Sequence, residues 1–246
     1  MLNQKNLKKT QNLKIITYNI HKGKSFLLRK NILKEINELI HDKTYDFIFL
    51  QEVRDFHEKD YKKHQALQTD ILSNGLYESF YGKNRIYKQG HHGNAVLTNH
   101  KVIKERNFDI SVNKLESRGF FVLTVEVNHT QLNIACTHLN LRKKDRLKQI
   151  DLIDKIIEEN YKDEPFILAG DFNDFDKGVE KHLKELDFHN ITEVKTFPHI
   201  FPLFNLDKVF VKNIFVKQVQ AQSLKNLKSI IMSDHLPIEV NLSIVI

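Results

Sequence analysis

The sequence predicts an α/β fold in which mixed β-sheets are covered by helices, and three observations lead there. Short apolar runs with strand-like alternation recur along almost the whole chain. Some follow one another as hairpins and others are separated by stretches of helical periodicity, a combination that gives mixed sheets with buried strands. Glycine (8) and proline (4) are sparse, and no linker, repeat or low-complexity tract interrupts the 246 residues. One domain is therefore expected over residues 13–246, behind a flexible basic segment, 1–12.

Leu13–Asn19 reads as the first strand. A helical stretch follows, with Leu28, Ile32, Leu33, Ile36, Leu39 and Ile40 on one face. Asp46–Glu52 is a buried strand and Glu58–Leu72 a second helix. Strands near Tyr77–Tyr81 and Asn94–Asn99 come next. Gly119–Val127 and Gln131–Leu139 flank the polar turn Asn128–Thr130 and form a hairpin. A third helix covers Lys144–Glu159, with Leu147, Ile150, Ile153, Ile156 and Ile157 inward. Phe166–Gly170 is a strand and Val179–Leu186 a short helix. Strands near Leu206–Val211, Phe215–Ala221 and Pro237–Ile246 close the chain.

Composition excludes several classes. A chain of this length buries about 70–75% of its unfolded surface and needs no staple. The single cysteine, Cys136, rules out an internal disulfide framework and a multi-cysteine zinc site. Apolar runs such as Phe47–Leu50 are far too short to span a membrane, and no apolar stretch backs the N-terminal lysines as a secretory signal would require. The expected compartment is cytoplasmic. The 38 basic residues exceed the 31 acidic ones, giving +7, and residues 1–34 hold nine of the former and none of the latter. Two further basic stretches run from Arg142 to Lys148 and from Lys208 to Lys228. Such stripes attract polyanions, although a solvated surface is the plainer explanation.

The chemistry is carried by polar residues at strand ends. The first strand runs into Asn19 and the second into Glu52. The hairpin delivers His138 and then Asn140, Phe166–Gly170 delivers Asp171 and Asn173, and Asp234–His235 precede the last strand. Apolar strands that discharge polar groups at their tips are how α/β folds build sites. Singly, each residue has a duller explanation. Glu52 fits an exposed strand end, Asp171 a turn or helix cap, Asp234 a turn stiffened by Pro237, and His138 a core histidine. The ordered conjunction is what those readings leave unexplained.

That conjunction resembles the endonuclease/exonuclease/phosphatase family, which includes pancreatic deoxyribonuclease, abasic-site endonucleases, sphingomyelinases and inositol-polyphosphate 5-phosphatases. The matching segments are TYNIHKG (17–23), LQEV (50–53), GNAVLTN (93–99), ESRG (116–119), THLN (137–140), GDFND (170–174), LDKVF (206–210) and SDHLP (233–237). GHHGNAVL (90–97), with TFP ahead of LDKVF, is most similar to a small bacterial branch without an assigned substrate. The resemblance implies a four-layer α/β sandwich, two mixed β-sheets packed face to face with helices outside and the site at one rim.

The resemblance also implies roles. Glu52 would ligate a divalent cation, Mg²⁺ or Mn²⁺, with Asn19 and Asp234 nearby. Asp171 would orient and deprotonate the attacking water, with Asn173 holding that water or a phosphoryl oxygen. His235, fixed by Asp207, would donate to a phosphate oxygen, and His138 would contact the phosphate or protonate the leaving oxygen. Asn94 and Asn140 would be hydrogen-bonding supports on the substrate side, Arg118 a phosphate clamp, and His91 and His92 either the substrate entry or a polar loop. A histidine, His21, stands where several nucleases of the family carry an acid, and it is not assigned to metal.

The expected activity is therefore metal-dependent hydrolysis of a phosphoester by a monomer, with a phosphodiester of nucleic acid as the leading substrate. A phospholipid headgroup or small phosphoester is the alternative, and a non-catalytic basic binding module a third. Against lipid stand the absence of tryptophan and of any long apolar loop that would enter a bilayer.

Overall fold

Alternation along the strands sorts the chain into two sheets with a core between them and a core outside each. The computed structural model describes residues 10–28, 30–225 and 232–246. In chain order its elements are β1 (Thr10–Asn19), α1 (Leu33–Ile40), β2 (Phe47–His57), α2 (Glu58–His64), α3 (Gln68–Ser73), β3 (Glu78–Tyr87), β4 (Gly90–Thr98), β5 (Lys101–Asp109) and β6 (Gly119–Val127). There follow β7 (Thr130–His138), α4 (Lys143–Asn160), β8 (Phe166–Asp171), α5 (Gly178–Glu185), β9 (His189–Asn190), β10 (Asp207–Lys212), β11 (Phe215–Ser223) and β12 (Ile238–Val245).

One sheet has the order β11-β12-β1-β2-β4-β3, the other β5-β6-β7-β8-β10-β9. Both are mixed. β1 and β2 are parallel and joined through α1, and β7 and β8 are parallel and joined through α4, while the other pairings are antiparallel. Odd-numbered positions such as Leu13, Ile15, Phe47 and Phe49 of the first sheet meet Phe121, Leu123, Ile134 and Ile167 of the second in the inter-sheet core. The even-numbered Ile16, Tyr18, Ile48 and Leu50 pack instead under Ile36, Leu39 and Ile40 of α1. Phe120, Val122 and Leu168 pack under Ile150, Ile153 and Ile157 of α4 and Leu183 of α5. The result is the expected four-layer sandwich.

Several local expectations are corrected. Residues 10–12 are not part of a loose tail: they pair with Ser243–Val245 in β1, while the basic residues of segment 1–9, Arg29 and Lys228 lie outside the described residues. The first helix begins at Leu33 rather than Leu28. Residues 24–28 turn instead into a loop, with a Lys24–Asn31 bridge across its base and a Leu28 N–H donated to Ser25 Oγ, and Leu28 is exposed. The second helix is two, α2 and α3, because Gln65 adopts a left-handed conformation and Leu67 an extended one. In α4, Leu147 and Ile156 are half-buried, while Arg146 and Gln149 are buried. β5 carries a run of charged, exposed residues with no apolar alternation, as suits a sheet edge, and that composition hid it.

Much of the basic surface read from the sequence is also structural. Lys208 is buried, its Nζ donating to Asp174 Oδ2 (2.9 Å) and Glu180 Oε2 (2.7 Å). Lys212 pairs with Glu158 (3.2 Å), and Arg146 and Lys143 with Asp176 (3.4 and 2.7 Å).

A further polar cluster ties β12 to the segment before β2. Glu239 accepts from Lys43 Nζ (3.0 and 2.9 Å), Tyr45 Oη (2.8 Å) and Gln222 Nε2 (2.8 Å). Burial alone would raise its carboxyl, but the donors from Lys43, Gln222 and Tyr45 more than offset this and hold it below the usual glutamate range. A carboxyl lowered on folding stabilises the protein at neutral pH, and that contribution is lost as pH falls through its folded value. Glu239→Gln should therefore cost about 1–2 kcal/mol near pH 7, a figure kept low because Lys43 is half exposed. The gap between variant and parent should close below pH 4 in denaturant titrations.

Candidate active site

The apolar inner-face series of four strands each end on a polar residue at one rim. In β1 the series Leu13, Ile15, Thr17 ends at Asn19; in β7, Leu132, Ile134, Cys136 ends at His138. In β8, Ile167 and Ala169 lead to Asp171, and in β10 Val211 and Val209 lead back to Asp207. Cross-strand register makes His138, Asp171 and Asp207 neighbours, since His138 pairs with Asp171 and Asp171 with Asp207. Inner-face placement follows from the period of two alone.

Glu52 breaks this rule and is placed by a bulge. The inner series of β2 is Phe47, Phe49, Gln51, and Gln51 donates from Nε2 to Thr17 Oγ1 (3.1 Å) and Cys136 Sγ (3.3 Å) between the sheets. By alternation Glu52 would face the helices. The register with β4 shifts between Leu50 and Val53, and Glu52 takes a positive φ of 57°, so its side chain joins the cleft instead. Gly93, opposite Val53, leaves no space for a Cβ, which would lie 1.9 Å from the Gly82 carbonyl oxygen.

The cleft, of about 190 Å³, is lined by Asn19, Glu52, Arg118, His138, Asp171, Asn173, Asp234 and His235, with Leu141, Phe175, Phe197 and Leu206 as apolar walls. Asp171 is its centre. Oδ2 accepts from Asn19 Nδ2 (2.9 Å) and faces His138 Nε2 (3.4 Å) and His235 Nε2 (3.6 Å), and Oδ1 accepts from Asn173 N–H (3.0 Å). Burial raises the Asp171 carboxyl to about 6, against the lowering effect of His235.

The two imidazoles are held in opposite charge states. His235 is buried, which by itself disfavours its cation, yet the Asp207 and Asp171 carboxylates push it up to about 10. Its Nδ1 lies 2.8 Å from Asp207 Oδ2, which also accepts from Thr196 Oγ1 (2.5 Å). His138 is driven well below its ordinary value by burial and by the charges of Arg118 and His235. It is neutral, and with Arg118 Nη1 donating to its Nδ1 (3.1 Å) the proton is assigned to Nε2, facing Asp171. Arg118 is in turn held by Asn140 Oδ1 and Glu116 Oε1, both at 3.3 Å.

A cation fits a second part of the cleft. Glu52 Oε2 is buried with no hydrogen-bond donor, and its nearest positive charge is Lys22 Nζ at 3.4 Å. Asp234 lines the same cleft, with His21 Nδ1 at 3.4 Å from its Oδ1. An orphaned carboxylate oxygen beside an amide and a second carboxylate is a hard-oxygen donor set suited to Mg²⁺ or Mn²⁺. Asp171, Asp207 and His235 also bring donor atoms within 4.8 Å of one another. A cation there would have to displace the proton that Asp207 and Asp171 stabilise on His235, so Glu52 offers the better seat.

The model of the Endonuclease/Exonuclease/phosphatase family matches residues 16–235, nearly the whole chain. The chain belongs to the endonuclease/exonuclease/phosphatase family. YbhP of Escherichia coli strain K12, an uncharacterized protein, is 32% identical over 244 residues, covering 93% of this chain and 95% of that one. Among solved structures, a family protein from Leptotrichia buccalis is 23% identical with a TM-score of 0.72, over 94% and 99% of the two chains. A truncated Caenorhabditis elegans TDP2 is 17% identical with a TM-score of 0.68, over 94% and 97%. These two likenesses establish the shared fold. The family includes metal-dependent phosphodiesterases and nucleases, so membership makes the chain a candidate hydrolase of phosphoester bonds.

Not every residue expected from the family segments reaches the cleft. Asn94 is buried and spends its Nδ2 on the Gly119 (3.2 Å) and Cys136 (3.3 Å) carbonyls, cross-linking the sheets rather than facing substrate. Asn140 is also buried, and its Oδ1 accepts from Arg118 and Gln149. Asp207 stands behind His235. His92 lies near Lys22, Glu52 and Arg118 but does not line the cleft, and burial lowers its imidazole to about 4. Its ring contacts Tyr87, whereas His91 bonds Tyr81 Oη. Asp174, last residue of GDFND, is structural: it accepts from Lys208 and from the N–H groups of Val179 and Glu180 at the start of α5.

Four contributors were missed from sequence. Thr196 and Ser233 support Asp207 and the His235 N–H (3.2 Å), and Phe175 and Phe197 wall the cleft. Thr196 and Phe197 had a signal in the TFP triplet ahead of LDKVF and Ser233 in SDHLP, while Phe175 had none. Cys136 is buried, its thiol pushed up to about 12 by burial, and is inert as expected.

Proposed function

We propose that the chain is a divalent-metal-dependent phosphodiesterase that hydrolyses its substrate by in-line attack of water. The observation that carries this reading is the pairing, in one cleft, of a buried carboxylate with a raised pKa and a separate carboxylate oxygen left without a donor. Asp171 orients the water and takes its proton as the new O–P bond forms, a role worth roughly 10²–10⁴-fold. Asn19 and the Asn173 N–H hold Asp171 in place. The His235 cation, backed by Asp207 and Thr196, donates to a non-bridging phosphoryl oxygen. Arg118 clamps a second oxygen with its fork, and neutral His138 donates from Nε2 to the phosphate or to the departing oxygen. Glu52, Asn19 and Asp234 would hold Mg²⁺ or Mn²⁺, which supplies Lewis-acid stabilisation of the developing charge.

The test separates the two carboxylates. With a chromogenic aryl phosphodiester and Mn²⁺, the parent should show EDTA-sensitive turnover. Glu52→Gln should weaken Mn²⁺ binding, read by titration calorimetry, by at least about tenfold, as expected for loss of a charged hard ligand. A variant that binds Mn²⁺ as tightly as the parent would remove Glu52 from the metal set.

A further inference from the structure

We propose that two apolar-tipped loops beside the cleft dock the protein on an anionic lipid surface; this rests on the phosphodiesterase reading for its consequence, but not for its geometry. The first loop begins at the Lys24–Asn31 bridge and carries Phe26, Leu27 and Leu28 among its described residues, 24–28. The second, residues 197–204, is closed by a Phe197–Phe204 bridge and carries Ile200, Phe201 and Leu203. All six are exposed, Phe201 by 75% and Leu28 and Leu203 by 62% each. The loops touch, the Phe26 ring lying 6.1 Å from that of His199.

The patch runs into the site. Phe204 packs on Phe175 (5.2 Å), Phe175 on Phe197 (6.1 Å) and Phe197 on His235 (5.0 Å). With Leu141, Phe175 and Phe204, this sector holds nine of the seventeen large apolar side chains that stand exposed among the described residues. A contiguous exposed apolar patch marks an interaction surface.

The occupant follows from chemistry and charge. Four of the six tip residues, Leu27, Leu28, Ile200 and Leu203, are aliphatic groups that offer nothing for a nucleobase to stack on, and together with Phe26 and Phe201 they partition well into an acyl boundary. The loops also sit in stretches without acids: residues 1–34 contain none, nor does the run from Lys195 to Asn205. Lys30, Lys195 and Lys225 are exposed around them, and Lys225 Nζ donates to the Ile200 carbonyl (3.1 Å). Apolar tips flanked by these three lysines, with Glu193 the exposed acid sharing a groove with Lys195 and Leu203, suit an anionic bilayer, to which each basic residue adds attraction. Docked this way, the protein would present its cleft to a lipid phosphodiester. The lack of a long apolar loop is no obstacle, because two short tips share one patch.

Flotation with vesicles tests this. The full chain should bind vesicles of phosphatidylcholine containing 30% phosphatidylglycerol, and bind pure phosphatidylcholine at least about tenfold more weakly. Leu27→Ser/Leu28→Ser and Phe201→Ser/Leu203→Ser should each reduce binding to the anionic vesicles about tenfold or more, while keeping parental turnover of the soluble aryl diester. Binding unchanged by either pair overturns the proposal. So does tip-dependent binding of a single-stranded oligonucleotide with none of vesicles. A lowered melting temperature with vesicle binding unaltered would mean that the tips are covered within the protein, and light-scattering evidence of a tip-dependent dimer would mean a second copy covers them; both overturn it. Vesicle binding without any diester turnover would instead sink the catalytic reading and leave the docking surface standing.

Discussion

Asp171→Asn should abolish nearly all turnover of an aryl phosphodiester, by about 10³-fold, or roughly 4 kcal/mol in the barrier. The amide keeps the size of the side chain but cannot take the proton of an attacking water. The same substitution should leave the fold intact. A carboxyl whose pKa is raised on folding destabilises the native state once pH exceeds its unfolded value, and the full penalty is present above about 6. Asparagine removes that penalty but sets an NH₂ group against a donor, since Oδ1 accepts from the Asn173 N–H and Oδ2 faces Asn19, His138 and His235, so the thermal midpoint at pH 7.5 should fall by no more than about a few degrees. Mn²⁺ binding should also persist, because Glu52 and Asp234 are untouched. Parental turnover in the variant would end the assignment of Asp171 as the base.

The largest loss of stability is expected at Lys208→Ala. Lys208 and the Asp174 side chain are almost wholly buried, and removing the ammonium leaves Asp174 facing Glu180 with no cation between them. Breaking such a pair from one side costs about 3–5 kcal/mol. In a chain of this size that is a fall in melting temperature on the order of 10 °C. Lys208→Met, which fills the channel but not the charge, should lose less of the packing yet still fall short of the parent. An Ala variant melting within two degrees of the parent would show that α5 does not depend on this lysine.

The sheets were legible because strand alternation is a local property. Ile15 with Phe47, and Ile134 with Ile167, carry their pattern in the chain itself, and the polar residue ending each pattern marked the rim. β5 was invisible for the converse reason: a sheet-edge strand such as Lys101–Asp109 has no buried face to write an alternation. The break between α2 and α3 turned on the left-handed conformation of Gln65, a residue with no particular preference for it. At the site, the family segments singled out Asp171, His138, His235 and Glu52, but not which neighbours act through them. Asn94 and Asp174 sit in the same segments and serve the scaffold, a distinction that only partner atoms reveal. The apolar rim escaped because Phe26 and Phe201 are 175 residues apart and each apolar stretch alone is short.

The cleft also has a seam through it. Asn19, Glu52 and Asp234 are carried by one sheet, and Arg118, His138, Asp171 and Asp207 by the other, with the Asn19–Asp171 and His235–Asp207 contacts as stitches between them. A bound phosphodiester and its cation would act as a clasp fastening the two halves. Occupancy should then slow hydrogen exchange at both strand tips together. Catalysis, in turn, would register any slippage of one sheet over the other, however far from the reacting atoms the slip began.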